Sequence, residues 1–399
     1  MVRRSYLLSG TIIFLVTVVI FSGRIQRELA LYQLRSEYHS GNLKQAYSDA
    51  VKLSDSQPNC AELQFLIAKL ARRCGNLEVA HDRLNQAEGL GWDAQDIRRE
   101  RLLSTAQVGN HRSVEGQLDK LLRTAVDRDA EEIYEALARG FFTSYQFGEL
   151  TRCTDFWLAW HPDAVEAHML RADAAALHNN LPEAISRYKT VLRIDAENDE
   201  ARFLLAEMLF RQNQFEAALK EYARCEQKQS TGRVLLGIGR CHQRLGSTEK
   251  AIAAFDRVKD QATDTKLRSM LLEERGRIAL ENGDTKLAVR HLKEVTELIP
   301  SGVSGWNALA NAYAAQGNKS LSKEASETCE NLRKLWQQLS DVRNDLLSNP
   351  DDVRVRMKAA RLSEQLGNAD ESMSWAATVL QIQPDHPGAA KMVSGHLQK

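Results

Sequence analysis

Along nearly the whole chain, apolar and small residues keep the spacing of one helix face rather than the alternation of a half-buried strand. Trp306, Leu309, Ala310 and Tyr313, for example, stand at i, i+3, i+4 and i+7. The helical stretches are punctuated by glycine or asparagine at Gly41, Gly75, Gly109, Asn179, Asn213, Gly246, Gly283, Gly317 and Gly367, and Tyr145 takes the same place in the fourth unit. Successive turns are 34, 34, 36, 34, 34, 33, 37, 34 and 50 residues apart. Five residues after each turn comes Ala46, Ala80, Val114, Leu150, Ala184, Ala218, Ala251, Ala288, Ser322 or Ser372. Such a period, with two helices in each, predicts stacked helix-turn-helix units, none able to bury its apolar face alone. The expected fold is therefore all-α, an array of about ten repeats that begin near Arg27, Ala61, Gln95, Glu131, Val165, Asp199, Gly232, Ser269, Val303 and Val353.

Proline supports the same boundaries. Pro58, Pro162, Pro300 and Pro384 fall where units close, and Pro182 falls in the first turn of a second helix, where its missing N–H costs nothing. One stretch breaks the period. Ala325, Thr328, Leu332, Leu335, Leu339, Val342 and Leu346 step by 4 and 3 alternately, a heptad seam, before Asn349-Pro350-Asp351-Asp352 opens the last unit. Two readings stay open for it: one long or broken helix packed on the array, or a helix near 321–346 that pairs with a second copy. The resulting division is 1–26 for an N-terminal anchor, 27–336 for repeats one to nine, 337–352 for a helical insertion, and 353–399 for the final repeat and cap.

The anchor rests on an uncharged run of 19 residues, Ser5 to Gly23, preceded by Arg3 and Arg4 and closed by Arg24. As a helix at ~1.5 Å per residue it reaches about 28 Å, close to the thickness of a bilayer's hydrocarbon core. Its end, Val19-Ile20-Phe21-Ser22-Gly23, lacks the small-residue pattern of a cleavage site, which favours an uncleaved transmembrane helix over a removed signal. Charges flank both ends, so orientation is weakly set; the short N-terminal flank favours a cytoplasmic N-terminus with the array outside the cytoplasm.

Charge and chemistry then narrow the function. Lysine plus arginine equals aspartate plus glutamate at 53 each, so no global field favours nucleic acid. The six cysteines are dispersed without a C-x-x-C pair; buried free thiols are expected, although Cys225 and Cys241 lie on neighbouring helices and could pair in an oxidising compartment. His161, His168 and His178 come nearest to a cluster but lack metal-ligand spacing, and no metal or other cofactor is expected. Gly237-Ile-Gly239 begins like a dinucleotide loop, yet it lacks the third glycine and sits inside a helix, so its glycines are read as packing residues. No catalytic motif is present, and the chain is read as non-enzymatic.

Trp306-x2-Leu309 with Tyr313, Ala184-x3-Tyr188, and Gly239 with Ala251 and Phe255 make the chain similar to the tetratricopeptide repeat family, whose pattern is W-x2-L-G-x2-Y, then A-x3-F, then P. The resemblance implies a right-handed superhelical solenoid whose first helices line a concave groove that grips peptides or partner helices. At 100° per residue, positions 4, 7, 8 and 11 of the first helix face the core while 2, 5, 9 and 12 face away. Position 2 holds Glu28, Glu62, Asp96, Glu132, Glu166 and Glu200. They read either as complements to the helix dipole or as an acidic ladder. Position 9 holds Arg35, Lys69 and Arg139, then Asp173 and Glu207, then Arg240, Arg277 and Arg361. The candidate partner-binding residues are Met169, Leu170, Phe203, Leu204, Phe210, Leu236, Arg240 and Arg277, for a protein or peptide partner. In layout the chain resembles bacterial inner-membrane proteins that carry one N-terminal helix and such a domain, which implies a scaffold in envelope assembly, secretion or export. The alternative is a cytoplasm-facing tethered adaptor of the lipopolysaccharide assembly protein B type, which recruits a protease but carries paired C-x-x-C motifs absent here.

Overall fold

The computed structural model describes residues 27–38, 43–110, 113–259, 264–349 and 351–397, and among them every regular element is a helix. The chain divides into two compact units, Met1–Ala106 with Arg112–Thr124 and Gln107–His111 with Ala125–Lys399. The division runs through repeat three, where Val114 replaces the usual alanine, and up to repeat four, where Leu150 does. Unit 1 holds α1 (27–38), α2 (Leu43–Ser56), α3 (Ala61–Arg73), α4 (Leu77–Gly89), α5 (Ala94–Gln107) and α6 (Glu115–Thr124). Unit 2 starts with α7 (Asp127–Thr143), α8 (Phe147–Trp160), α9 (Val165–Leu177), α10 (Leu181–Ile194), α11 (Asp199–Arg211) and α12 (Phe215–Lys228). It continues through α13 (Gly232–Arg244), α14 (Thr248–Lys259), α15 (Thr265–Glu281), α16 (Thr285–Leu298) and α17 (Val303–Ala315). Its last elements are α18 (Lys319–Ser348), α19 (Val353–Gln365), α20 (Ala369–Ile382) and α21 (Pro387–Leu397).

The turns show why the period is legible. Nine of the ten turn positions have positive φ, from +58° at Tyr145 and Asn179 to +88° at Gly109; the tenth, Gly41, lies outside the described residues. Only glycine, and to a lesser degree asparagine, enters that region without strain. The following residue sends its N–H back five positions, Asn76 to Ala71 and Asn180 to Ala175 at 2.8 Å each, which satisfies a carbonyl the helix end leaves open. The chain then re-enters a helix, with Asn180, Asp284 and Asn318 accepting from the first-turn N–H groups of Glu183, Leu287 and Leu321. Five residues after the turn, the small residue is fully buried at Ala80, Ala184, Ala218, Ala251 and Ala288, where the two helices of a repeat come closest.

Unit 2 has a defined curvature. Successive odd-numbered helices touch, α7 with α9, α11 with α13, α13 with α15 and α15 with α17. Even-numbered helices do not pack on one another to that degree among the described residues, so the stack bends toward its odd-numbered side.

Two sequence expectations need correction or placement. The heptad segment is a single helix, α18, of 30 residues, which runs on through positions 336 and 337. Ala325, Leu339, Val342 and Leu346 are buried, and Leu332 and Leu335 are partly covered by the cluster that Leu362, Leu366 and Trp375 build. Because the seam is spent on the chain's own α17, α19 and α20, it offers no heptad face to a second copy. The Ser5–Gly23 run lies outside the described residues; among those described, no helix is long and apolar enough to cross a membrane.

Candidate partner-binding face

The odd-numbered helices carry positions 2 and 9 on the inside of the curve, and there several arginines pair with an acid of the next repeat. In unit 1 Arg35 Nε donates to Glu62 at 2.8 Å, joining position 9 of one repeat to position 2 of its successor. In unit 2 Arg139 does the same with Glu166 at 2.5 Å and also meets Glu135 at 3.1 Å. Arg240 reaches Glu274 at 3.3 Å and lies over the Phe210 ring at 4.2 Å; Arg277 meets Glu273 at 2.5 Å and Glu274 at 3.6 Å. Burial raises the Glu274 pKa, opposed by the charges of Arg277 and Arg240. Arg35–Glu62 and Arg139–Glu166 thus join position 9 to position 2 of the next repeat, whereas Arg240 and Arg277 pair with Glu274 and Glu273, which occupy neither position. Arg240 and Arg277, singled out as partner-binding cations, are engaged within the protein.

The sign change at position 9 has a local cause. In repeats five and six the aromatic position of the second helix is tyrosine rather than phenylalanine, and its hydroxyl needs an acceptor. Tyr188 Oη donates to Asp173 at 2.5 Å, and Tyr222 Oη donates to Glu207. Burial raises both phenol pKa values, and it raises that of Asp173 against the lowering effect of the Tyr188 bond. In repeat seven the same position is Phe255 and position 9 is Arg240. Tyr188→Phe is expected to cost about 1–2 kcal/mol by leaving the mostly buried Asp173 carboxylate without its donor, measured by urea unfolding against the wild type. Asp173→Asn, which keeps an acceptor without the buried charge, should cost less.

The six apolar candidates separate. Leu170 is buried with Phe147, Leu150 and Trp157, and Leu236 is buried with Ala251, Phe255 and Val258. Phe210 is buried among Leu205, Leu209 and Tyr222. Only Met169, Phe203 and Leu204 keep partial exposure, on the adjacent helices α9 and α11, where Arg233 covers the Phe203 ring at 4.7 Å. The face left to a partner is therefore Met169, Phe203 and Leu204 bordered by Asp173, Glu200 and Glu207.

Other groups have settled roles. His161 meets Glu131 at 3.3 Å, His168 bonds the Pro162 carbonyl at 3.0 Å, and the His178 ring meets Phe147 edge-on with centroids 4.5 Å apart, so the three histidines serve three places. All six cysteines are free thiols, with Cys225 and Cys241 buried and their pKa values raised by that burial to about 11 and about 12. Sequence reasoning did not find an open groove of ≈ 380 Å³ lined by Ile252, Ile278, Leu287, Arg275 and His291. Arg275 is spent on Asp256 there at 2.8 Å, and burial and the nearby Arg290 and Arg275 lower the His291 pKa. The groove's residues lie one or two helices apart and carry no local motif.

The repeat geometry has a match among known families. The family model described as "Tetratricopeptide repeat" covers residues 121–199 and 274–322. Those two stretches carry tetratricopeptide repeats. A second model, "Anaphase-promoting complex, cyclosome, subunit 3", matches residues 177–258. The chain is 22% identical over 406 residues to "Tetratricopeptide repeat protein 1" of Schizosaccharomyces pombe, covering 91% of this chain and 38% of that one. It is 29% identical over 155 residues to "Protein CTR9 homolog" of Arabidopsis thaliana, covering 37% of this chain and 14% of that one. The chain thus spans well under half the length of either relative. Among solved structures it is similar to the anaphase-promoting complex hetero-tetramer Cut9-Hcn1, 15% identical over 91% of this chain and 74% of that one, with a TM-score of 0.42.

Proposed function

We propose that this protein is a non-catalytic scaffold that holds an extended protein segment on the odd-helix face of repeats five and six. The observation that supports it is the composition of the face: the partly buried Met169, Phe203 and Leu204 lie beside Asp173, Glu200 and Glu207. Such a surface fits a segment alternating apolar and cationic side chains, since the apolar groups gain burial while the acids attract the cations. The Ser5–Gly23 run, long enough as a helix to span a bilayer, would tether the array, with the repeats outside the cytoplasm and a role in envelope assembly, secretion or export.

A fluorescent peptide of alternating lysine and leucine is the direct probe. It should bind the full chain, and Phe203→Ala should weaken binding about tenfold, the equivalent of ~1.4 kcal/mol. Glu200→Lys should weaken it further and flatten its salt dependence. Equal binding of a glutamate-leucine peptide, or equal losses from a substitution at the distant exposed Lys358, would refute the reading. A reporter fused after Lys399 tests the topology: activity only in the cytoplasm would favour the tethered adaptor instead.

A further inference from the structure

Tyr145 is the one bulky side chain at a positive-φ turn; every other such position among the described residues is glycine or asparagine. A large residue held in that region is strained, and it persists only where the surroundings over-determine it. At Tyr145 those surroundings come from the far end of unit 2. Its ring stacks on Trp375 of α20 with centroids 3.9 Å apart and an interplanar angle of 23°. The Arg343 guanidinium of α18 lies 5.9 Å from the Tyr145 centroid and pairs with Glu371, which also accepts from Trp375 Nε1 at 3.2 Å. One residue before Tyr145, the Ser144 carbonyl accepts from the buried Arg356 of α19 at 3.1 Å, a bond between residues 212 apart in sequence. Enclosure here raises the Tyr145 pKa to about 12, burial being the largest cause.

From α8 to α18 the helices stack in order, so these contacts bring the stack back onto its own beginning. We infer that Tyr145 is a latch: stacked on Trp375 it closes unit 2 into a ring with the odd-numbered helices inward, and its release opens the ring at this one seam. The seam is the natural place to open, because side chains at the tip of a turn hold it, whereas neighbouring repeats elsewhere join along whole helices. Closed, the inner face is reached along the ring's axis; open, it is reached from the side. The latch concerns the ring alone and does not depend on the peptide reading.

The test uses the full chain with Cys60→Ser and Cys74→Ser, and dyes on cysteines introduced at the exposed Thr151 and Lys358, one on each side of the seam. Tyr145→Gly removes the ring while giving the turn the residue its backbone prefers, and Arg343→Ala leaves the turn intact. Both should lower energy transfer across the seam. Both should also speed amide exchange in α19 and α20 by about tenfold while α12 and α13 stay as protected as before. Under Tyr145→Gly, α7 and α8 should keep their protection. Unchanged transfer in both variants would overturn the latch, and so would faster exchange confined to α7 and α8, which would make Tyr145 a local turn residue.

Discussion

Glu100→Ala should destabilise unit 1 by about 3–5 kcal/mol, the usual cost of stranding one member of a buried ion pair. Arg72 of α3 donates through Nε to Glu100 of α5 at 2.8 Å, with the two side chains 0% and 3% exposed. Neither charge can be rehydrated in place, so removing the carboxylate leaves a guanidinium without its counter-charge in the space between two successive odd-numbered helices. The pair as a whole is a different matter, because desolvating both ions offsets most of their attraction. Arg72→Met combined with Glu100→Leu should therefore lie within about 1 kcal/mol of the wild type. Amide exchange across α3 and α5 is the suitable measurement, since a repeat array unfolds in parts and one global midpoint would blur the effect. A single-variant loss below about 1 kcal/mol would show that this pair is worth no more than a surface contact.

Gly239→Ala should cost about 3 kcal/mol, at the upper end for overpacking, because the added methyl has nowhere to go. It would overlap Cε1 and Cδ1 of the Phe255 ring, and the corresponding atom on Gly237 would overlap Cζ and Cε1 of the Tyr222 ring; both rings are essentially fully buried. A glycine inside a helix is itself unfavourable relative to alanine by about 1 kcal/mol, so here packing must outweigh propensity. Unfolding of α12 to α14 should become the first transition, with exchange in unit 1 unchanged. Combining Gly239→Ala with Phe255→Ala should cost less than the sum of the two, since the smaller side chain opens the space the methyl needs. Strict additivity would place the cost elsewhere than at this contact.

Much of the repeat was visible before any coordinates. The glycine and asparagine positions mark the turns because positive φ is a local backbone property, and a local property leaves its mark on a single residue type. The helix spacing shows the buried stripe for the same reason. Gly237 and Gly239 were legible as packing residues from their place within a helix. The candidate face is less legible in the sequence. Leu170, Phe210 and Leu236 are covered, because positions 5, 6 and 12 meet either solvent or the neighbouring helix according to small rotations between repeats. Arg240 and Arg277 are engaged by Glu274 and Glu273, acids that the counting of positions 2 and 9 passed over.

What the sequence determined by itself is whatever repeats locally: helix and turn positions and the close-packed alanines. What only the tertiary structure decided is which charges pair between repeats, that the heptad seam of α18 is spent within the chain, and that Tyr145 meets Trp375. The physical reason is range. Dihedral preferences and helix periodicity act over a few residues and are written there, whereas each repeat adds its small rotation to the last, and residues 145 and 375 come together only through the sum of those rotations.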